Sequence, residues 1–478
     1  MTDSNLLRVF SKTNKKNIPL EDIENLVYLS SKEYWSIAIF WKIFDNIFKW
    51  IVSAKYYKEI RAMVINRIFE AKSKSWLKNW LKQVDLPIIT KQHKLYKSID
   101  YLEENQEKIE KKLFKKRKEE NCDLLLYDIT STYFEWEKVE MARYGYSRDH
   151  RWDKLQVNIG LVTDSKWCPI SVEILEWNIV DKSTLQDQIN KLREKFNIKN
   201  ITFIFDRWMK TKVNLEYIIE EWFDYITALN HAELKRKADK NKWIQQSLFD
   251  KENLSEFIIE DKKYVLSYNP SKADKDTYDR ELLIKKTEEK LIEVQQFKRK
   301  YSPIRLQDKI TKRINKYRCW KYIIYNIKEY KKEWKIYGKL VFERDEEKIK
   351  YDNQFDWFYM VESTKTEIWW KELEKKYKSL QLVENAFDYT KNLIEIRPVF
   401  HWKDRRVKWH IFMCFMSYYL LYEFKQKMKD LLKDNTLDSL LTELKCITKW
   451  YFSINNIVIN KISKLNDIQE KMFKLYKL

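Results

Sequence analysis

Glycine is nearly absent. The chain holds 3 glycines in 478 residues, where ordinary usage of about 7% would place roughly 33. A folded chain needs glycine wherever its backbone takes a positive φ, so a protein of this length must fill those places with something else. Cysteine forms no useful pattern. Cys122, Cys168, Cys319, Cys414 and Cys446 contain no CxxC pair, which excludes a zinc ribbon or a disulfide framework and leaves reduced intracellular thiols as the expectation. Long apolar runs are missing too. The most apolar stretches, Ile37–Trp41 and Ile411–Tyr422, fall short of the ~20 residues that cross a bilayer. The opening MTDSNLLRVF has no signal-peptide apolar stretch. A soluble, cytoplasmic protein with no membrane partner is expected.

Apolar content is sufficient for a core. Hydrophobic residues make up 44% of the chain, which excludes wholesale disorder, and the length allows about two to four domains. Lysine and arginine number 93 against 72 acidic residues, a formal charge of +21. Such a surplus favours a polyanionic partner, because basic side chains release counterions from phosphates. Heavy use of Lys, Ile, Asn and Tyr equally describes an AT-rich genome, so charge alone leaves both readings open.

Along the chain, residues 1–120 read as mainly helical, with apolar and basic residues at three- and four-residue spacing from Glu33 to Arg67. Residues 121–230 change character. Short apolar runs predict strands at Asp123–Asp128 (DLLLYD), Val157–Thr163, Ile170–Leu175, Ile201–Asp206 (ITFIFD) and Tyr225–Leu229, with a helix over Lys182–Phe196. Three strands, a helix and a further strand suggest an α/β sheet with helices packed on it. Residues 231–350 are rich in Lys and Glu, with strand-like pieces at Tyr264–Tyr268 and Trp334–Phe342, and read as an insertion. Residues 351–430 resume the core with a strand over 355–362, a helix over Glu367–Leu393 and an apolar helix over Val407–Lys427. Residues 431–478 read as a basic helical tail.

Asp128 and Asp206 each end a predicted buried strand. In an open α/β sheet that edge is where ligands bind, and a carboxylate there costs desolvation energy unless it is paired or holds a metal. Two such aspartates, with an acidic residue from a helix, would give hard oxygen ligands to two Mg²⁺ ions about 3.5–4 Å apart. Aspartates at strand ends also simply cap turns, and the residues alone leave both readings standing. The hydroxyls of Thr130, Ser131 and Thr132 read as caps of the strand end rather than nucleophiles. His150, His401 and His410 read as core or surface residues.

The words around these residues resemble a known family. YDITSTYFEWE at 127–137, YGYSRDHRWDKLQVNIGLVTD at 144–164, EWNIVDKST at 176–184, IFDRWMKTKVNL at 204–215 and VENAFDYTKNLIEIRPVFHW at 383–402 resemble, in order, the conserved blocks of DDE transposases from bacterial insertion sequences. The resemblance covers roughly 125–230 and 355–425. It implies a ribonuclease H-like catalytic core, a mixed five-stranded sheet with helices, interrupted by a β-containing insertion and flanked by helical N- and C-terminal regions. It implies Asp128, Asp206 and Glu384 as catalytic ligands of two Mg²⁺ ions, with Mn²⁺ as a substitute. The gap of 384 − 206 = 178 residues fits the insertion-sequence-four-like branch, whose insertion precedes the glutamate helix. That branch carries Tyr-x2-Arg-x3-Glu-x6-Lys. Tyr377, Glu384 and Lys391 match it, and Leu380 stands where the family has arginine. Tyr377 and Lys391 would contact DNA phosphate. The partners implied are double-stranded DNA, as inverted-repeat ends bound by the 1–120 region and as target, and a second copy of the chain in a synaptic complex. The location implied is the bacterial cytoplasm, on the nucleoid. The alternatives are a ribonuclease H-like nuclease or resolvase without strand transfer, and a DNA-binding relative that has lost catalysis.

Tryptophan is as abundant as glycine is scarce, at 20 residues. Trp167, Trp177, Trp208, Trp357 and Trp409 fall where the family pattern has glycine. Together with the composition, this leads to the expectation that UGA triplets meant as glycine are written here as Trp.

Overall fold

The computed structural model describes residues 26–72, 76–85, 90–118, 124–135, 138–144, 151–164, 166–175, 181–196, 202–241, 244, 254–268, 270–297, 299–317, 319–332, 334–355, 358–380, 387, 389–454 and 457–476. The chain is mixed α/β and divides into two compact units. The first takes Met1–Phe205, Met209–Phe223 and Lys378–Leu478, and the second Asp206–Trp208 and Asp224–Tyr377.

The first unit opens with β1 (Val27–Glu33), α1 (Trp35–Phe48), α2 (Tyr57–Phe69), α3 (Leu77–Gln83) and the long α4 (Gln92–Lys118). Then come β2 (Leu124–Tyr133), β3 (Gln156–Asp164), β4 (Pro169–Leu175), α5 (Asp181–Phe196), β5 (Thr202–Ile204) and α6 (Lys212–Glu220). β2, β3 and β4 form an antiparallel meander, and β5 lies parallel to β2 on its other side. The crossover from β4 to β5 runs through α5, as a parallel strand requires. This is the strand, strand, strand, helix, strand order read from the apolar runs.

β4 keeps an open edge, and α4 closes it. Gln106 donates to the Val172 carbonyl at 2.9 Å, while Glu110 accepts from the Val172 amide at 3.2 Å and from the Ser171 hydroxyl at 2.9 Å. Lys195 of α5 pairs with the same fully buried Glu110. An uncovered strand edge is a template for unwanted pairing, and here side chains take up its backbone groups.

The second unit comprises β6 (Asp224–Ala228), α7 (His231–Lys240), β7 (Leu254–Ile259), β8 (Lys262–Tyr268), α8 (Pro270–Gln295), α9 (Pro303–Tyr317), β9 (Ile323–Lys332), β10 (Lys335–Arg344), α10 (Glu346–Asn353), β11 (Phe358–Ser363) and α11 (Trp370–Lys378). β11 lies antiparallel between β6 and β8, and β7 pairs with β8. β9 and β10 form a separate hairpin packed on α8 and α9 through Ile284, Leu291, Leu306, Ile310 and Leu340. Residues 231–350 therefore contain more helix than their strand-like pieces suggested. The strand expected at Tyr225–Leu229 is β6.

The last stretch of the first unit holds α12 (Asp404–Lys427), α13 (Leu437–Lys445), β12 (Thr448–Ile454), β13 (Ile457–Ile462) and α14 (Asp467–Tyr476). α12 is buried nearly all round and packs on α1, α2, α4 and β4, which is why its sequence lacks a polar face. The tail does not follow the all-helical expectation. β12 and β13 form a hairpin, and β1 pairs with β12 from the other end of the chain. Such a sheet is invisible to local periodicity, because its pairing joins residues more than 400 positions apart.

Candidate active site

β2 carries the first candidate ligand. Its ten residues are buried wherever their side chains are described, apart from Tyr133 at the end; β3 pairs along it as far as Tyr133, and β5 pairs with Leu124–Leu126 on the other edge. Asp128 stands opposite Leu161 of β3 and is 7% exposed. One carboxylate oxygen accepts the Ile129 amide at 2.8 Å. The sequence placed Asp128 at a strand end, but β2 runs five residues further. Thr130, Thr132 and Tyr133 continue it because β-branched and aromatic side chains suit an extended backbone. Thr130, Ser131 and Thr132 are buried strand residues, not caps of a turn.

Gly160 of β3 fits against β2. A Cβ there would lie 2.8 Å from the Tyr127 hydroxyl oxygen and 3.1 Å from its ring. One of the chain's three glycines is therefore fixed by a tyrosine crossing its backbone rather than by φ.

Asp206 follows β5. Leu126 and Ile204 are register partners in the parallel pair, and Asp128 and Asp206 each come two residues after them. Asp206 is half-buried, and one of its oxygens accepts the Arg207 amide at 2.6 Å. A short 3₁₀ turn, Arg207–Met209, comes next, and Thr211 then caps α6 by accepting the Asn214 amide at 3.2 Å.

The third block arrives beside β2. Val399 forms a parallel bridge with Phe134. Its amide donates to the Tyr133 carbonyl at 3.0 Å, and its carbonyl accepts from Glu135 at 3.3 Å. The segment that follows Glu384 in sequence thus prolongs the sheet at the C-terminal end of β2. A cavity of about 1090 Å³ opens there, lined by Glu135, Lys138, Val139, Glu140, Trp402, Lys403 and Asp404.

Glu384 itself lies outside the described residues. Among those described, no group of three or more His, Cys, Asp or Glu side chains could hold a metal ion. The donors of Asp128 and Asp206 are hard carboxylate oxygens, which suit Mg²⁺ and not a soft metal.

Part of the helix expected over Glu367–Leu393, residues 381–386 and 388, lies outside the described residues. α11 ends at Lys378, after a last turn rich in lysine, where cations complement the helix dipole. Tyr389–Leu393 forms a π turn. Tyr377 and Lys391 are both half-buried, and the helix face expected to carry Glu384 and Lys391 runs through residues outside those described. Leu380 is 6% exposed. The position where the family has arginine is an apolar core position here. His410 is buried, with Nε2 3.2 Å from the Ile396 carbonyl, in keeping with a core role. His150 lies outside the described residues.

No helix among the described residues is long and apolar enough to cross a membrane. No family model matches the chain, and no curated protein matches it. Among solved structures it is similar to a piggyBac transposase synaptic complex with hairpin DNA, at 10% identity over 92% of this chain and 78% of that one, with a TM-score of 0.36. A likeness that low assigns neither fold nor activity.

Proposed function

We propose that this chain is a transposase of the DDE type, in the insertion-sequence-four-like branch, that cuts and rejoins DNA at the ends of its element. The observation that carries the reading is the meeting of four of the five sequence blocks at β2. The first block is β2 itself with its buried aspartate. The block at 144–164 is its neighbour β3, and the tail of the third block bridges its end at Val399. The second-aspartate block follows β5, the parallel neighbour. A buried carboxylate in a central strand costs desolvation energy, which pairing, hydrogen bonding or a bound metal offsets.

In this reading Asp128, Asp206 and Glu384 hold two Mg²⁺ ions, or Mn²⁺ in their place, which when bound supply Lewis acidity to the scissile phosphate. The protein's part is to fix the three carboxylates. Asp128 lies within β2 and Asp206 follows β5 in sequence, and each carboxylate accepts the backbone amide of the residue after it, Ile129 and Arg207. Lys391 and Tyr377 contact DNA phosphate. The charge of +21 draws duplex DNA to the surface. A homodimer brings the two element ends together.

The test is cleavage of the element's own ends with Mg²⁺ or Mn²⁺. Asp128→Asn and Asp206→Asn should each abolish cleavage while duplex binding persists; cleavage at the wild-type rate by either variant overturns the assignment. Cleavage without joining of paired ends would favour a nuclease or resolvase.

A further inference from the structure

Six described residues other than glycine take a positive φ, and three of them are tryptophan: Trp167 at 65°, Trp222 at 63° and Trp334 at 64°. Tryptophan fills 20 of 478 positions, so three of six is far beyond its share. The described glycines contribute nothing to this set. A left-handed backbone costs an L-residue about 1–2 kcal/mol, and a bulky residue there is an outlier.

Each of the three sits in a different motif that asks for glycine. Trp222 follows the end of α6. Its amide donates to the Ile219 carbonyl at 3.0 Å, and the Phe223 amide donates to the Ile218 carbonyl at 3.0 Å. These are the two bonds of a Schellman motif, with Trp222 at its left-handed position and the buried pair Ile218 and Phe223 at its apolar positions. Trp167 ends the loop between β3 and β4. Its amide donates to the Asp164 carbonyl at 2.9 Å, and the Asp164 amide donates to the Cys168 carbonyl at 3.0 Å. This is a three-residue hairpin loop whose last residue is left-handed, and glycine is the residue that fits. Trp334 is the second residue of the two-residue loop between β9 and β10, closed by the pair Lys332 and Lys335. Asn-Gly and Asp-Gly loops put glycine at that place.

The side chains have no offsetting role. Trp222 is 89% exposed and Trp334 fully exposed, so a large apolar ring lies in water at each. The Trp167 indole N–H is buried without a hydrogen-bond partner.

We infer that positions 167, 222 and 334 are glycine in the protein as its host makes it, specified by UGA triplets that the host reads as glycine. This is independent of the catalytic reading. It also separates the tryptophans: Trp208 and Trp409 lie in helical backbone, which makes no such demand, and Trp177 and Trp357 lie outside the described residues.

The test has two arms. Sequencing the gene and mass-mapping peptides of the protein isolated from its host should give UGA and glycine at all three positions; UGG triplets, or tryptophan in the peptides, overturn the inference. In recombinant full-length chain, Trp222→Gly and Trp334→Gly should each raise the thermal midpoint by roughly 2–8 °C, since neither removes packing. An unchanged or lower midpoint in both overturns the conformational argument, whatever the codons.

Discussion

Asp352 ties α10 to Lys235 of α7 and to Lys321 and Tyr322 through a single carboxylate, and replacing it tests the packing around α10. It lies near the end of that helix, 3% exposed. Lys235 of α7 pairs with one oxygen; Lys321 at 2.6 Å and the Tyr322 hydroxyl at 2.9 Å donate to the other. Burial alone would push the carboxyl up, but hydrogen bonds from Lys235, Lys321 and Tyr322 outweigh it and hold the group well below the usual carboxylate range. Removing one partner of a buried ion pair costs about 3–5 kcal/mol. The lysine side chains here are 25% and 41% exposed, so both can turn toward water, and about 2–3 kcal/mol is the better figure for Asp352→Asn. That is a fall of about 4–12 °C in the unfolding midpoint of this unit. The pH dependence follows from the sign of the shift. Because the folded state lowers this carboxyl, its contribution is complete above the unfolded value near 3.9 and is lost as pH falls through the acid range. Thermal unfolding followed from about pH 7 to pH 3 should show the wild type losing stability more steeply than the variant below about pH 5. Equal midpoints at neutral pH and parallel acid slopes would refute the network's role.

Three further outcomes follow from particular contacts. Gly160→Ala should cost about 1–3 kcal/mol by overpacking against Tyr127, read as a lower denaturant midpoint, and Tyr127→Leu in the same chain should restore part of it. Glu110→Ala should expose the β4 edge, so the Val172 amide, which now donates to that carboxylate, should exchange with deuterium markedly faster while amides of β2 keep their protection. Asp128→Asn should leave the circular dichroism spectrum and DNA affinity unchanged while metal-dependent cleavage falls to background; loss of folding instead would give this buried aspartate a structural role.

Much of the central architecture is local and was legible in the residues. Runs such as DLLLYD and ITFIFD read as buried strands because both faces are apolar, and they became β2 and β5. The continuous apolar run of α12 marked a helix buried all round. The candidate acids were legible through their sequence blocks. The glycine shortage was legible in the counts, since composition needs no coordinates.

What remained belonged to tertiary structure. The pairing of β1 with β12 depends on two chain ends meeting, and neither end encodes the other's position. Asp128 moved from strand end to strand middle because pairing with β3 carries β2 on to Tyr133, opposite Gln156. Whether Leu380 faces water or the core is a matter of what packs against it, and it is buried. Which tryptophans stand in glycine places could be decided only by φ. A turn's handedness is fixed by the strands and helices it joins, so the backbone singled out Trp167, Trp222 and Trp334, two of them at positions the sequence blocks had not marked.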